Sequence, residues 1–244
     1  MILYVLVGLA VGSFLNVCAD RVPVGGSVFT PGSHCPACGH RLTPWELVPV
    51  LSFLWLRGKC RSCGAPIPPR TLAVELLTAA SFGLLWFVIA PGAKLVLASA
   101  YTSVLLLVAI IDIEHQRIPN VIVLPASVVA PFAAVAYGIP LELSLIGSAI
   151  GFVSLGLPYF LMPGGMGAGD VKLAVLVGAM SGYPLILLAL FTAIVMGAAV
   201  GLTLMLFRTQ SRNSPIAFGP FLAGGAIITL LFGQTILDWY VRFF

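Results

Sequence analysis

The sequence predicts an all-α polytopic membrane protein of about eight transmembrane helices, with one cysteine-bearing loop domain inserted between the first and second. Composition gives the class: 60% of residues are hydrophobic and 8% charged, against about 45–50% and about 25% in soluble domains, and the mean hydropathy is +1.11. Windows of about 17–25 apolar residues, the length that crosses a hydrocarbon core, give the count. The one long polar interruption, 19–71, gives the division into a membrane body and a loop domain.

Taken in order, the first window is 2–18. A secretory signal opens on a positively charged region, whereas no Lys or Arg precedes Arg21, so the window predicts a retained helix (1–18). The loop domain follows at 19–71, and 72–244 forms the rest of the membrane body. Its windows are 72–90, 95–112, 121–138, 143–161, 171–183, 185–207 and 219–237. The run from Val171 to Tyr183 makes only about 20 Å of helix against a core of about 30 Å. The glycine-rich "PGGMGAGDVK" before it (163–172) is therefore expected to dip below the membrane surface, as irregular backbone does where it lines a cavity. No other internal repeat or low-complexity tract stands out.

Orientation follows from Lys and Arg near helix ends. With eight spans, Arg21, Arg41, Arg57, Lys59, Arg61, Arg70, Arg117, Lys172, Arg208 and Arg212 fall on one side, and Lys94 and Arg242 on the other. The loop domain is thus placed in the cytoplasm and both termini outside. The net charge of +4 is a juxtamembrane bias toward lipid headgroups and gives no ground for nucleic-acid binding.

Four of the five cysteines form two C-x-x-C pairs, Cys35 with Cys38 in "CPACGH" and Cys60 with Cys63 in "CRSCGA". Two such knuckles, each followed by glycine, fit one tetrahedral zinc ion held by four thiolates. Disulfides are disfavoured in a reducing cytoplasm. Four protein ligands leave no open position, so the zinc is structural, a staple for a loop too small to bury much core. His34 and His40 are solvated neighbours in this reading, and Cys18 is a small buried residue.

The eight acids can be weighed singly. Glu142 and Asp238 fall outside, and Asp20, Glu46 and Glu75 belong to the loop domain or its borders. Asp112 ends the third span and Asp170 precedes the sixth, both at the cytoplasmic face. Acids within or at the edge of spans are costly and mark function. Two carboxylates close together share one proton, so that one activates water while the other polarises a scissile carbonyl. Glycines beside them let backbone approach an extended substrate, which makes Gly167, Ala168 and Gly169 a candidate cradle. The bland alternatives are that Asp170 caps a helix and that Asp112 pairs with Arg117. Glu114 and His115 read as solvated loop residues, and Lys172 as a snorkelling lysine.

Together these pieces resemble the type IV prepilin peptidase family, bifunctional leader peptidases and N-methyltransferases of the GxGD aspartyl type. The matching stretches are "GSFLNVCADRVP", the two knuckles, "VELLTA", "IDIEHQRIPN", "GMGAGDVKLAVLVGA" and "FGPFLAGG". The resemblance implies an aspartic endopeptidase of the bacterial inner membrane with Asp112 and Asp170 as catalytic pair. It also implies cleavage of a short basic leader from prepilin or pseudopilin precursors at the cytoplasmic face. Methylation of the new N-terminus from S-adenosylmethionine would follow, and Gly58 and Lys59 match a stretch linked with that activity. Where the family often has Leu-Pro-Asp this chain has Ile118, Pro119 and Asn120, and Asn120 is expected to cap the next helix in place of the aspartate.

Two other classes compete. A proton-coupled transporter would use the aspartates as relays and show matching acids or broken helices in both halves; there is no second G-x-G-D. A non-catalytic assembly platform would use the zinc loop and have no need of both aspartates.

Overall fold

The computed structural model describes residues 1–161, 166–207 and 217–243. Gly164 and Gly165 of the glycine run, and Arg208 and Arg212 of the charge count, lie outside them. Among the described residues there are α-helices, short 3-10 turns and two isolated antiparallel bridges, but no strand. The helices are α1 (Ile2–Arg21), α2 (Leu51–Trp55), α3 (Pro69–Val88), α4 (Ala93–His115) and α5 (Asn120–Tyr137), followed by α6 (Leu141–Leu161), α7 (Ala168–Ser181), α8 (Leu185–Leu206) and α9 (Gly219–Phe243). Seven of them, all but α2 and α7, are long and apolar enough to cross a membrane. This is a multi-pass membrane protein.

Two compact units form, Met1–Pro91 and Gly92–Phe244. In the first, α1 lies antiparallel on α3: Tyr4 stacks on Phe82 at 5.3 Å near one end, and Arg70 Nη2 meets Asp20 Oδ1 at 2.6 Å at the other. The approach is close because Gly8 and Gly12, four residues apart, face α3. A Cβ on Gly8 would stand 2.9 Å from Ala79 Cα, and one on Gly12 would stand 2.8 Å from Glu75 Cα. Small residues at this spacing are how membrane helices gain van der Waals contact when lipid offers no hydrophobic drive. Asn16 crosses the seam, donating to Gly12 O at 3.2 Å and Thr71 O at 3.1 Å.

In the second unit α7 is the enclosed element, packed against α5, α6, α8 and α9, with Leu173, Ala174, Val177 and Ala179 fully buried. It meets α6 backbone to backbone: Cβ atoms on Gly147, Gly151 or Gly178 would overlap carbonyls of the facing helix. A fourteen-residue helix, about 21 Å long, is thereby held by neighbours rather than by its own span. The core is completed by Tyr101, Leu105 and Val108 of α4 and Leu222, Ala223 and Ala226 of α9.

Several expectations change. Glu75, read at the border of the loop, is buried inside α3, and its carboxylate accepts the Val50 N–H of the loop at 2.8 Å. Glu114 and His115 belong to the last turn of α4, though they are exposed as expected. Asn120 is the first residue of α5 and Pro119 its N-cap, because the fixed φ of proline already sets the helix entry. Its side chain does not cap; it accepts a hydrogen bond from Lys172 Nζ at 2.8 Å, so that lysine is engaged rather than snorkelling freely. Cys18 is buried, as read.

Candidate functional site

The second unit brings Asp112 and Asp170 to one cavity of about 370 Å³, lined also by Gln116, Arg117, Ile118, Asn120, Lys172 and Gly167 to Gly169. Asp112 lies in the last turn of α4, 5% exposed, and its Oδ2 accepts the N–H of Gly219 at 3.0 Å. This bond joins positions 107 apart in sequence and supplies the partner expected of Arg117. A Cβ on Gly219 would stand 2.6 Å from that oxygen, so only glycine lets the start of α9 come this close. "FGPFLAGG" contains the glycine, but no sequence rule ties it to Asp112.

Asp170 is the third residue of α7, one turn after the N-cap Gly167. Its Oδ2 accepts the Gly167 N–H at 3.2 Å, and its own N–H donates to Gly167 O at 3.1 Å. This is the reach-back half of a capping box, where an acid meets free amides and the positive end of the helix dipole. The capping alternative and the site reading therefore describe one geometry. Gly169 has an internal reason to be glycine: a Cβ there would be 2.8 Å from Ile118 Cβ. Ala168 and Lys172 also line a second, apolar cavity of about 180 Å³ with Phe152, Tyr159, Phe160, Val171 and Val175.

In the first unit the four cysteines converge. Cys35 and Cys63 Sγ are 3.9 Å apart, Cys38 and Cys60 Sγ 4.0 Å, and all four lie within 4.8 Å of one another. A tetrahedral ion about 2.3 Å from each thiolate requires S···S edges of about 3.8 Å, whereas a disulfide requires about 2.05 Å. The cluster could hold a metal ion.

The knuckles repeat each other bond for bond. Cys35 N–H donates to His40 O and Gly39 N–H to Cys35 O, both at 2.9 Å; Cys60 N–H donates to Ala65 O at 2.8 Å and Gly64 N–H to Cys60 O at 2.9 Å. Gly39 and Gly64 have φ of 72° and 73°, a left-handed turn open to glycine. Bridges His34 to Arg41 and Lys59 to Pro66 close the two turns alike. Amides of Cys38 and Ala37 bring the Cys35 thiol down to about 7, and amides of Cys63 and Ser62 lower Cys60; against the His40 amide, burial and the neighbouring thiols push Cys38 up to about 12. The repeat, unseen in composition, is a repeat of hydrogen bonds.

His40 is not a free neighbour: its Nε2 meets Glu46 Oε2 at 3.2 Å. The Thr43 N–H and hydroxyl reach the same oxygen at 2.8 Å. Those donors, the amide first, hold the Glu46 carboxyl down to about 2. Gly58 sits in the turn after α2 with φ of 67°, following Arg57 at 53°. It donates to Phe53 O at 2.9 Å and accepts from Ile67 N–H at 2.7 Å, leaving the Lys59 side chain exposed.

Comparison with known proteins gives two family profiles in tandem. The Bacterial Peptidase A24 N-terminal domain matches residues 6–89, and the Type IV leader peptidase family matches residues 99–202. A prepilin leader peptidase/N-methyltransferase of Bacillus subtilis is 36% identical over 96% of this chain and 95% of that protein. Proteins of the same name from Pseudomonas aeruginosa and Dichelobacter nodosus are 35% and 37% identical, over 98% and 95% of this chain and 92% and 91% of theirs. No solved structure matches.

Proposed function

Because the chain belongs to the type IV leader peptidase family, we propose that Asp112 and Asp170 are the catalytic pair of a membrane peptidase that removes the leader of prepilin or pseudopilin precursors. The enzyme is a protease that also carries methyltransferase activity. The observation that carries the reading is that two acids from different helices line one cavity, each with Oδ2 engaged by a backbone amide.

That arrangement leaves Oδ1 of each carboxylate for the chemistry. The pair holds one proton between them. The ionised member takes a proton from water, and the resulting hydroxide adds to the scissile carbonyl carbon while the protonated member donates to the carbonyl oxygen. Collapse of the diol breaks the C–N bond, and a carboxyl proton passes to the leaving nitrogen. Gly167, Ala168 and Gly169 serve as cradle for the extended segment. The apolar cavity sharing Ala168 and Lys172 then receives residues of the substrate's apolar helix.

The topology proposed is eight membrane helices, both termini outside, with the loop domain 19–71 and the catalytic face in the cytoplasm of a bacterial inner membrane. The ten-to-two cation distribution supports it. The loop thiolates hold zinc as a structural ion, which the S···S edges support. S-adenosylmethionine, as the family name implies, supplies the methyl group, and the Gly58–Lys59 turn is its proposed contact in a methyltransferase-associated loop domain. The peptidase chemistry needs only residues of Gly92–Phe244.

The test is to incubate the purified full chain in detergent with a prepilin-like peptide, with and without S-adenosylmethionine, and read products by mass. Loss of the leader mass in both samples, and a methyl added only with the donor, is the expected result. An uncleaved peptide would overturn the peptidase reading, and the relay alternative would then predict proton flux through reconstituted vesicles.

A further inference from the structure

The loop of the first unit carries an apolar face. Trp45 and Trp55 are 80% and 85% exposed, Leu51 and Leu54 64% and 60%. Leu51, Leu54 and Trp55 stand at i, i+3 and i+4, one face of α2, while Phe53 turns inward against Gly58. One tryptophan and two leucines on one face, with Trp45 exposed in the turn before them, mark an interaction surface rather than scattered exposure.

The depth of α2 is fixed by a hydrogen bond. Its N-cap, Val50, donates its N–H to Glu75 Oε2 at 2.8 Å, and Ser13 of α1 also reaches this carboxylate. Glu75 is buried within the spanning helix α3. It lies five residues beyond Arg70, about 7.5 Å along the helix axis. Arg70 pairs with Asp20 on the last turn of α1, and that exposed ion pair marks the level where both helices meet water. Helical side chains lean toward their own N-terminus, which brings the Val50 amide a little nearer the water. α2 therefore begins several ångströms inside the level of the ion pair, within the band of about 5–10 Å where in-plane amphipathic helices lie.

The charge around it is complementary to lipid. Between Leu47 and Val74 the cations are Arg57, Lys59, Arg61 and Arg70, with no acid. Arg57, Lys59 and Arg61 follow α2 directly and are exposed. Cations at this position suit anionic headgroups, and tryptophan is the residue of the membrane interface.

We propose that the segment from Trp45 to Arg61 is an in-plane membrane anchor: Leu51, Leu54 and Trp55 enter the acyl boundary while Arg57 and Arg61 meet anionic headgroups. The anchor holds the Gly58–Lys59 turn and the second knuckle against the bilayer. It requires that α3 cross the membrane, and is independent of the catalytic role of the aspartates.

The experiment uses the full chain with Trp45, Trp86 and Trp239 each replaced by Phe, leaving Trp55 as the one tryptophan of the original four. It is reconstituted in phosphatidylcholine/phosphatidylglycerol nanodiscs whose acyl chains are brominated either near the headgroup or near the bilayer centre. Headgroup-proximal bromine should quench the emission most, central bromine less, and aqueous acrylamide least, as the burial depth of an in-plane helix requires. Strong acrylamide quenching without a bromine effect would overturn the proposal in favour of water. Protection from both would overturn it in favour of a protein occupant, such as a second copy or the precursor. Should the variant fold poorly, the unaltered chain in discs with a headgroup-proximal diazirine lipid gives the same answer. Lipid adducts on peptides spanning 45–55 are expected; adducts on α1 and α3 alone would count against the anchor.

Discussion

The cysteine loop and the aspartate cavity place reactive side chains by opposite means. Each knuckle is closed by bonds between residues at most nine apart, as Cys35 to His40, Cys60 to Ala65 and Gly58 to Ile67 show, so the local sequence nearly determines the thiolate positions. The aspartates are placed from a distance: Asp112 by an amide 107 positions away, Asp170 by a short helix that α5, α6, α8 and α9 enclose. A local site survives changes elsewhere in the chain. A site built from distant backbone is only as good as the packing behind it, and a single methyl group should be able to spoil it.

The largest effect expected is loss of cleavage in Asp112→Asn and Asp170→Asn, by about 10³-fold or more, since a shared-proton pair fails when either member is lost. Both variants should insert and unfold like the parent, which a thermal melt in detergent checks. Retained cleavage by either would remove that aspartate from the mechanism. Glu114→Gln, by contrast, should remain active, because that side chain faces solvent.

Next comes Gly219→Ala, which tests placement from a distance most directly. The added Cβ would stand 2.6 Å from Asp112 Oδ2, so either the carboxylate turns away or the start of α9 withdraws its amide. A displacement near 1 Å costs on the order of 10²-fold when it misaligns reacting groups. The fall should appear mainly in kcat, with peptide binding kept, and a parent-like kcat would show that the Gly219 contact does not hold the reactive geometry.

The same contrast explains what could be read from sequence. The helices were legible, since apolar windows of spanning length are a strong signal, and the start of α7 differed only because Asp170 and its glycines open the helix instead of preceding it. The thiolate cluster was legible because its geometry is local. Both acids were visible as costly residues at helix ends, yet nothing showed that Gly219 holds one of them or that Gly169 is glycine for the sake of Ile118. That Glu75 holds the start of α2 was not legible, because its partner, the Val50 amide, is 25 positions away in the loop. The close crossings at Gly8 and Gly12 and at Gly147 and Gly151 had a signal, glycines four apart in apolar helices. Reading them would have paired α1 and α6 with close neighbours, though not with which.

A smaller effect on cleavage should follow damage to the proposed metal site. Cys35→Ser, or chelation after mild acid treatment, removes a ligand or the ion from the loop, and the knuckles lose the centre that joins them. Methyl transfer should fall severely while leader cleavage stays within about threefold, since Asp112, Asp170 and Gly219 all belong to Gly92–Phe244 and uncoupled sites keep independent effects. Mass analysis of the peptide products reads both activities at once. Cleavage lost in parallel with methylation would break the comparison, because the loop would then form part of the peptidase site.

The smallest effect concerns Glu46, whose carboxylate gathers the Thr43 amide, the Thr43 hydroxyl and His40 beside the first knuckle. Its pKa is depressed to about 2 in the folded loop, against about 4.3 for an unperturbed glutamate. A depressed carboxylate contributes stability that is fully present above the unfolded value and is lost as pH falls through the folded one. Glu46→Gln keeps the shape but removes the charge, so its loop should melt lower than the parent's by the same margin at pH 7 and pH 5. The margin should then narrow from about pH 4 to pH 2 as the parent's own carboxylate takes up a proton. Cleavage at neutral pH should not change in the variant. A melting margin as wide at pH 2 as at pH 7 would mean that the side chain acts by shape, and that the charge of Glu46 adds nothing to the first knuckle.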